Sequence, residues 1–171
     1  LAQPTVALIV NAGSAHIGEL GSYEAIAKAK GEIFEGLTDD GIAIINADDK
    51  FAAFWHSLIG DRKVITFGLS NQADITARYE LQASASKLNI STPQGSAEVL
   101  LAVPGIHNVM NALAATAAAF AANIPLEKIV AGLQNYQGVK GRLQHLPGLN
   151  GALVIDDSYN ANPVSMKAAI D

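Results

Sequence analysis

Gly41-Ile42-Ala43-Ile44-Ile45-Asn46-Ala47-Asp48-Asp49 decides the fold. An apolar run rich in β-branched residues breaks off into an amide and two acids, which reads as a buried strand with a polar end. Upstream, Thr5 to Asn11 has the same character. Between the two, Ser22 to Leu37 reads as a helix with Ser22 at its N-cap. Downstream, Lys50 to Ile59 reads as a helix capped by Asp48 or Asp49, and Lys63 to Phe67 as a third strand. A β-α-β-α-β rhythm implies parallel strands joined by right-handed crossovers. The expected fold class is therefore α/β: a mostly parallel mononucleotide-binding sheet flanked by helices.

Beyond Phe67 the rhythm changes. Asp74 to Ala83, Lys87 to Thr92 and Ala97 to Val103 are strand-like, and Pro93-Gln94-Gly95-Ser96 reads as a hairpin turn between the last two. A small antiparallel subsheet is expected, inserted into or packed on the α/β core. Ile106 to Ala122 reads as a helix apolar all round, hence buried. Leu126 to Tyr136 reads as a helix begun by Pro125. Two strands follow, Arg142 to Leu146 and Ala152 to Ile155, and Val164 to Ile170 reads as the start of another helix.

The chain has 171 residues, half of them hydrophobic, enough for one domain with a real core. Its net charge of −5, with scattered Lys and Arg, argues against a nucleic-acid partner. The absence of cysteine excludes disulfides and thiolate metal sites and fits a reducing compartment. The longest apolar stretch, Ala112 to Ala122, is too short and too Ala-rich to span a bilayer. Leu1 to Val10 lacks the basic region of a signal peptide. With no start Met, the chain is expected to be a piece of a longer protein, an incomplete domain.

Five constellations carry candidate chemistry. On a helical wheel Tyr23, Ile26, Ala27, Lys30, Ile33, Phe34 and Leu37 share one stripe, with Glu24, Lys28, Glu32 and Glu35 opposite. Lys30 thus falls within an apolar face. Either it snorkels to water, or it is buried, where the neutral and modifiable amine is favoured. His16 stands on a small-residue loop past the first strand, where ligand sites form in α/β sheets; a surface or cap histidine is the alternative. Asn108 and Asn111, at i and i+3 near a helix start, either cap the helix or offer the donor and acceptor that match an adenine edge. Arg142 follows the Gly138-Val139-Lys140-Gly141 turn, as a surface cation or as a phosphate contact.

The fifth is Leu153-Val154-Ile155-Asp156-Asp157-Ser158-Tyr159-Asn160-Ala161-Asn162-Pro163. A β-type run ends in acids, a hydroxyl, a phenol and amides, as at the strand ends where open α/β sheets hold ligands. Asp157 suits ribose hydroxyls, whereas Asp156, Ser158 and Asn160 also suit plain turn and capping chemistry. No G-x-x-x-x-G-K-[ST] loop and no G-x-G-x-x-G occurs, so these residues hold no complete nucleotide site.

Taken in order, these pieces resemble the Mur ligases of bacterial cell-wall synthesis over nearly the whole chain. Asn11 to Phe34 resembles the family's metal-ligand His loop and following helix. Asn46-Ala47-Asp48-Asp49 resembles its usual strand end, and His107-Asn108 to Ala115 its H-N-x-x-N-x-x-A-A helix. Asp156 to Pro163 resembles the version that goes with D-alanyl-D-alanine addition. Ile106 departs from the pattern, since relatives often carry Arg or another charged residue there.

The resemblance implies an ATP-dependent ligase that phosphorylates a substrate carboxylate and lets an amine displace phosphate from the acyl phosphate. It implies ATP, UDP-N-acetylmuramoyl-tripeptide and D-alanyl-D-alanine as substrates, Mg²⁺ as cofactor, and a bacterial cytoplasmic setting. By position, His16 and Lys30 are the expected catalytic and metal-site residues, with possible carbamylation of Lys30. Asn108 and Asn111 match the adenine region, Arg142 a nucleotide-phosphate contact, and Asp157 the ribose contact, with Asn160 beside it. Residues 1–158 are expected to form most of the central ATPase domain without its phosphate loop. Residues 159–171 are expected to be the hinge and the start of a C-terminal Rossmann-like domain. The fragment alone is expected to be inactive.

Overall fold

The computed structural model describes residues 2–13, 17–159 and 166; the backbone of Glu19 and His145 is described but not their side chains. His16, Asn160 and nearly all of the expected Val164 to Ile170 helix lie outside the described residues. The chain divides into two compact units, Leu1–Tyr136 and Gln137–Asp171.

The first unit is built on the expected parallel sheet. Strands β1 (Val6–Ile9), β2 (Ile42–Asn46) and β3 (Lys63–Phe67) lie in the order β1-β2-β3, all parallel. The register runs Val6 to Ile42 and Ile42 to Lys63. The central strand is buried on both faces, which is why it reads as one continuous apolar run. Its alternation divides the core. Ala43 and Ile45 join Ala7 and Ile9 on one face, and Ile44 joins Ile65 and Phe67 on the other.

The first face is covered by helices α2 (Tyr23–Gly31) and α3 (Ala52–Ile59), which follow a short α1 (Ile17–Leu20) and β2 respectively. They contribute Ile26, Ala27, Trp55 and Ile59, with Phe34 and Leu37 beyond α2. Ser22 caps α2 as expected, its hydroxyl accepting from the Ala25 N–H at 3.1 Å. The helix is shorter than the sequence suggests, tightening into a 3-10 turn at Glu32–Phe34. Gly31 permits close approach to α3, since a Cβ there would lie 2.5 Å from Leu58 Cδ1.

The opposite face is covered by the expected antiparallel sheet and by helix α4 (Ile106–Ala121). Strands β4 (Thr76–Leu81), β5 (Ser86–Thr92) and β6 (Gly95–Leu101) form a meander. Leu88, Ile90, Val99 and Leu101 point into the same core as Val109, Leu113 and Ala117 of α4. The helix is buried on one side only: Asn111 and Ala115 are exposed, and Ile106 is 49% exposed. Small Ala side chains make its sequence read as apolar all round although water reaches one stripe. Helix α5 (Leu126–Gln134) follows, with Pro125 at its N-cap.

In the second unit, β7 (Gln144–Pro147) and β8 (Leu153–Asp156) pair as a two-stranded antiparallel sheet. The polar run at 156–159 thus ends a hairpin strand rather than a strand of the parallel sheet. Leu153, Val154 and Ile155 are 61%, 48% and 50% exposed. Among the described residues, no helix is long and apolar enough to cross a membrane.

Candidate functional site

The carboxyl ends of the three parallel strands are knitted together by short polar side chains. Asn46, the last residue of β2, is 7% exposed. Its amide donates to the Val10 carbonyl at 2.9 Å, and its Oδ1 accepts from the Asp48 N–H at 2.9 Å. Asp48 then crosses to the loop after β3. Its carboxylate accepts from the N–H groups of Leu69 (2.6 Å), Ser70 (3.0 Å) and Asn71 (2.8 Å). Gly68 leaves room for it, as a Cβ there would sit 3.0 Å from the carboxylate.

Asp49 turns the other way. Its Oδ2 accepts from the Ala12 N–H at 2.8 Å and its Oδ1 from the Phe51 N–H at 2.9 Å. The expectation that Asp48 or Asp49 caps α3 is therefore corrected. The first residue of α3 is Ala52, its N-cap is Phe51, and both carboxylates serve the loops at the strand ends. A carboxylate satisfying several backbone N–H groups fixes a loop more firmly than a single cap bond does. Local sequence suggests only a capping role for Asp48 and Asp49; the abrupt change from apolar strand to amide and acids is the signal of their wider one.

Lys30 reaches the same strand end from α2. Its Nζ donates to the Asn11 carbonyl at 2.7 Å. The residue is exposed, so the reading that buries it within the apolar stripe is corrected. The wheel fails at its margins: Ile26, Ala27 and Phe34 are buried, whereas Tyr23 and Ile33 are 37% and 43% exposed. Lys30 lies with these edge residues and bends towards the loop past β1. Lys50 stands nearby in sequence to Asp49, its Nζ 4.3 Å from the Tyr23 ring centroid and 4.7 Å from that of Phe51.

Asn108 and Asn111 separate in role. The Asn108 amide donates to the Pro104 carbonyl at 2.7 Å, so it secures the entry to α4. Asn111, a turn further on, is exposed. The helix begins after Gly105, whose φ of 94° suits glycine, and a Cβ there would meet the His107 ring at 2.6 Å.

Arg142 and Asp157 come together within the second unit. The Arg142 guanidinium lies over the Tyr159 ring, Cζ 4.1 Å from its centroid. Asp157 Oδ1 accepts from the Leu143 N–H at 3.1 Å, and the Tyr159 N–H donates to the Gly141 carbonyl at 2.9 Å. Asp156 accepts from the Ser158 N–H at 3.1 Å. The Ser158 hydroxyl and N–H hold the Asp156 carboxyl below its ordinary value of 3.8, and Lys140 adds to this. Among the described residues, no three His, Asp or Glu side chains gather as a metal site.

A three-stranded parallel sheet with a polar, backbone-bonded strand end and an appended antiparallel meander defines a class of α/β domain whose strand ends are the usual place for a ligand. The chain belongs to the Mur ligase family: its residues 1–119 match the Mur ligase middle domain. It is 44% identical over 172 residues to the UDP-N-acetylmuramoyl-tripeptide–D-alanyl-D-alanine ligase of Escherichia coli (strain K12), covering 99% of this chain and 38% of that protein. The protein of the same name from Haemophilus influenzae is 41% identical over 172 residues, covering 100% of this chain and 37% of that one. Among solved structures, MurF from Acinetobacter baumannii superposes with a TM-score of 0.92 at 42% identity, over 97% of this chain and 36% of that chain. The chain thus spans 38% or less of the length of these relatives.

Proposed function

We propose that this chain is most of the central ATPase domain of a bacterial cytoplasmic ligase that joins D-alanyl-D-alanine to UDP-N-acetylmuramoyl-tripeptide at the expense of ATP. The observation that carries the reading is similarity along the whole chain to two ligases of that name, and the D-D-S-Y-N-A-N-P run at residues 156–163 accords with it. In this reading residues 1–158 belong to the ATPase domain, and residues 159–171 are the hinge into a C-terminal domain. The isolated chain is inactive, because it carries no phosphate loop.

The site roles follow by position in the sequence. His16 and Lys30 serve the metal site, Asn108 and Asn111 the adenine region, Arg142 a phosphate, Asp157 the ribose, and Asn160 stands beside it. The chemistry of Lys30 sets a condition on this. As an ammonium it repels a divalent cation. As a carbamate, formed when the neutral amine adds to carbon dioxide and loses a proton, it offers the oxygens that Mg²⁺ prefers. Bound Mg²⁺ would neutralise charge on the transferred phosphoryl group. The hydrogen bond from Lys30 to Asn11 directs the side chain to the carboxyl end of β1, the side of an α/β sheet where ligands are held. The Asp49 bond to Ala12 steadies the same loop.

The test uses the full-length protein and a UDP-tripeptide labelled with ¹⁸O in its reacting carboxylate. Passage through an acyl phosphate transfers one ¹⁸O atom to each released inorganic phosphate. Phosphate free of label while peptide product accumulates would refute the mechanism.

A further inference from the structure

We infer that Tyr159 is a positioning residue for Arg142, holding its guanidinium ready for the phosphate groups of a nucleotide. The inference rests on the reading of Arg142 as a phosphate contact. Arg142 follows a turn with little stiffness of its own. Gly138 and Gly141 have φ of 85° and 74°, and Leu143 after it has φ of 47°. An arginine on such a turn has many rotamers to lose when it binds an anion.

Three contacts tie this turn to residues 157–159. The Tyr159 N–H bonds the Gly141 carbonyl at 2.9 Å, Asp157 Oδ1 accepts from the Leu143 N–H at 3.1 Å, and the Tyr159 ring lies 4.1 Å from the guanidinium carbon. Gly141 is needed at the crossing, since a Cβ there would come within 3.2 Å of the Tyr159 nitrogen and 3.4 Å of Ser158 Oγ.

The chemistry of the stack fits positioning. A cation–π contact uses the face of the guanidinium and leaves the N–H donors around its edge available. A carboxylate partner would orient the group equally well but would occupy those donors and cancel the charge. An aromatic ring fixes the plane and leaves the anion-binding edge intact. At 64% exposure, Tyr159 gains little from burial that would otherwise account for a tyrosine here.

The experiment compares Tyr159→Leu, Tyr159→Phe, Arg142→Met and the double variant Arg142→Met/Tyr159→Leu in the full-length protein. It reads KM for ATP, kcat at saturating ATP, and competitive inhibition by adenosine, which lacks phosphates. The expected result for Tyr159→Leu is a rise in KM for ATP of about fivefold, with kcat within about twofold and adenosine inhibition unchanged. Tyr159→Phe restores the parent value, and Tyr159→Leu adds nothing once Arg142 is Met. Additive effects in the double variant, or equal weakening of adenosine and ATP, would overturn the inference, as would a Tyr159→Phe variant no better than Leu. If Arg142→Met leaves KM for ATP unchanged, the phosphate role of Arg142 itself fails and the inference falls with it. If Arg142→Met raises KM and Tyr159→Leu does not, the inference alone fails.

Discussion

Lys30 Nζ donates to the carbonyl oxygen of Asn11 at 2.7 Å, tying helix α2 to the polar end of strand β1. Two functions can be separated at this residue. As a tether, any long cation serves. As a carbamate, only lysine serves, because a guanidinium does not add carbon dioxide. Lys30→Arg and Lys30→Ala in the full-length protein should therefore both lose about 100-fold in kcat, on the scale of removing one charged catalytic group. Near-parent turnover of Lys30→Arg would show that the tether matters and the modification does not.

Asp48 should govern the loop after β3. It accepts from three successive N–H groups, of Leu69, Ser70 and Asn71. Asp48→Ala leaves them without this partner and should cost about 1–3 kcal/mol. Amide exchange at residues 69–71 should accelerate more than exchange in β2. Uniform acceleration across the sheet would contradict a local role.

Trp55 is fully buried, and its indole Nε1–H donates to the Ala27 carbonyl at 2.9 Å, joining α3 to α2. Trp55→Phe removes the donor and leaves a void, so a loss of about 2–4 kcal/mol is expected in urea unfolding. An unfolding midpoint equal to that of the parent would refute the packing described for this face.

Gly105→Ala places a Cβ at a φ of 94° and against the His107 ring. It should destabilise the start of α4 by about 1–3 kcal/mol. The Asn108 bond to Pro104 should weaken with it, seen as faster exchange at the first turn of α4.

Asp156 is held below its ordinary 3.8 by the Ser158 hydroxyl and N–H. Because the folded value is the lower one, its contribution is present above the ordinary value and is lost as pH falls through the depressed one. A carboxyl titration by NMR should give a midpoint below 3.8, with the Ser158 amide shift moving in step.

The sequence made the parallel sheet legible because each strand is apolar on both faces and each break is sharp. Lys63 to Phe67 matches β3 at both ends. The hairpin was legible from Pro93-Gln94-Gly95-Ser96, but its turn is tighter than that: Thr92 faces Gly95, so Gly95 and Ser96 already belong to β6. Periodicity misled where a stripe meets solvent. A regular helix would keep Lys30, Ile33 and Phe34 in one stripe, but α2 ends at Gly31 and the chain tightens into a 3-10 turn at Glu32–Phe34, which buries Phe34 and leaves Ile33 exposed. The hydrogen bonds that Asp48 and Asp49 accept from distant backbone N–H groups were not legible, because local sequence cannot say which loop lies opposite. The stack of Arg142 on Tyr159 is not legible for the same reason, since it joins residues from two separate segments.

The most direct test of the proposed function is the product made by the full-length protein from ATP, UDP-N-acetylmuramoyl-tripeptide and D-alanyl-D-alanine, read by mass spectrometry beside ADP release. The account predicts UDP-N-acetylmuramoyl-pentapeptide and ADP in equal amounts, with no product when the dipeptide is omitted. ADP release without ligated peptide, or ligation only of a single amino acid to a shorter precursor, would contradict it.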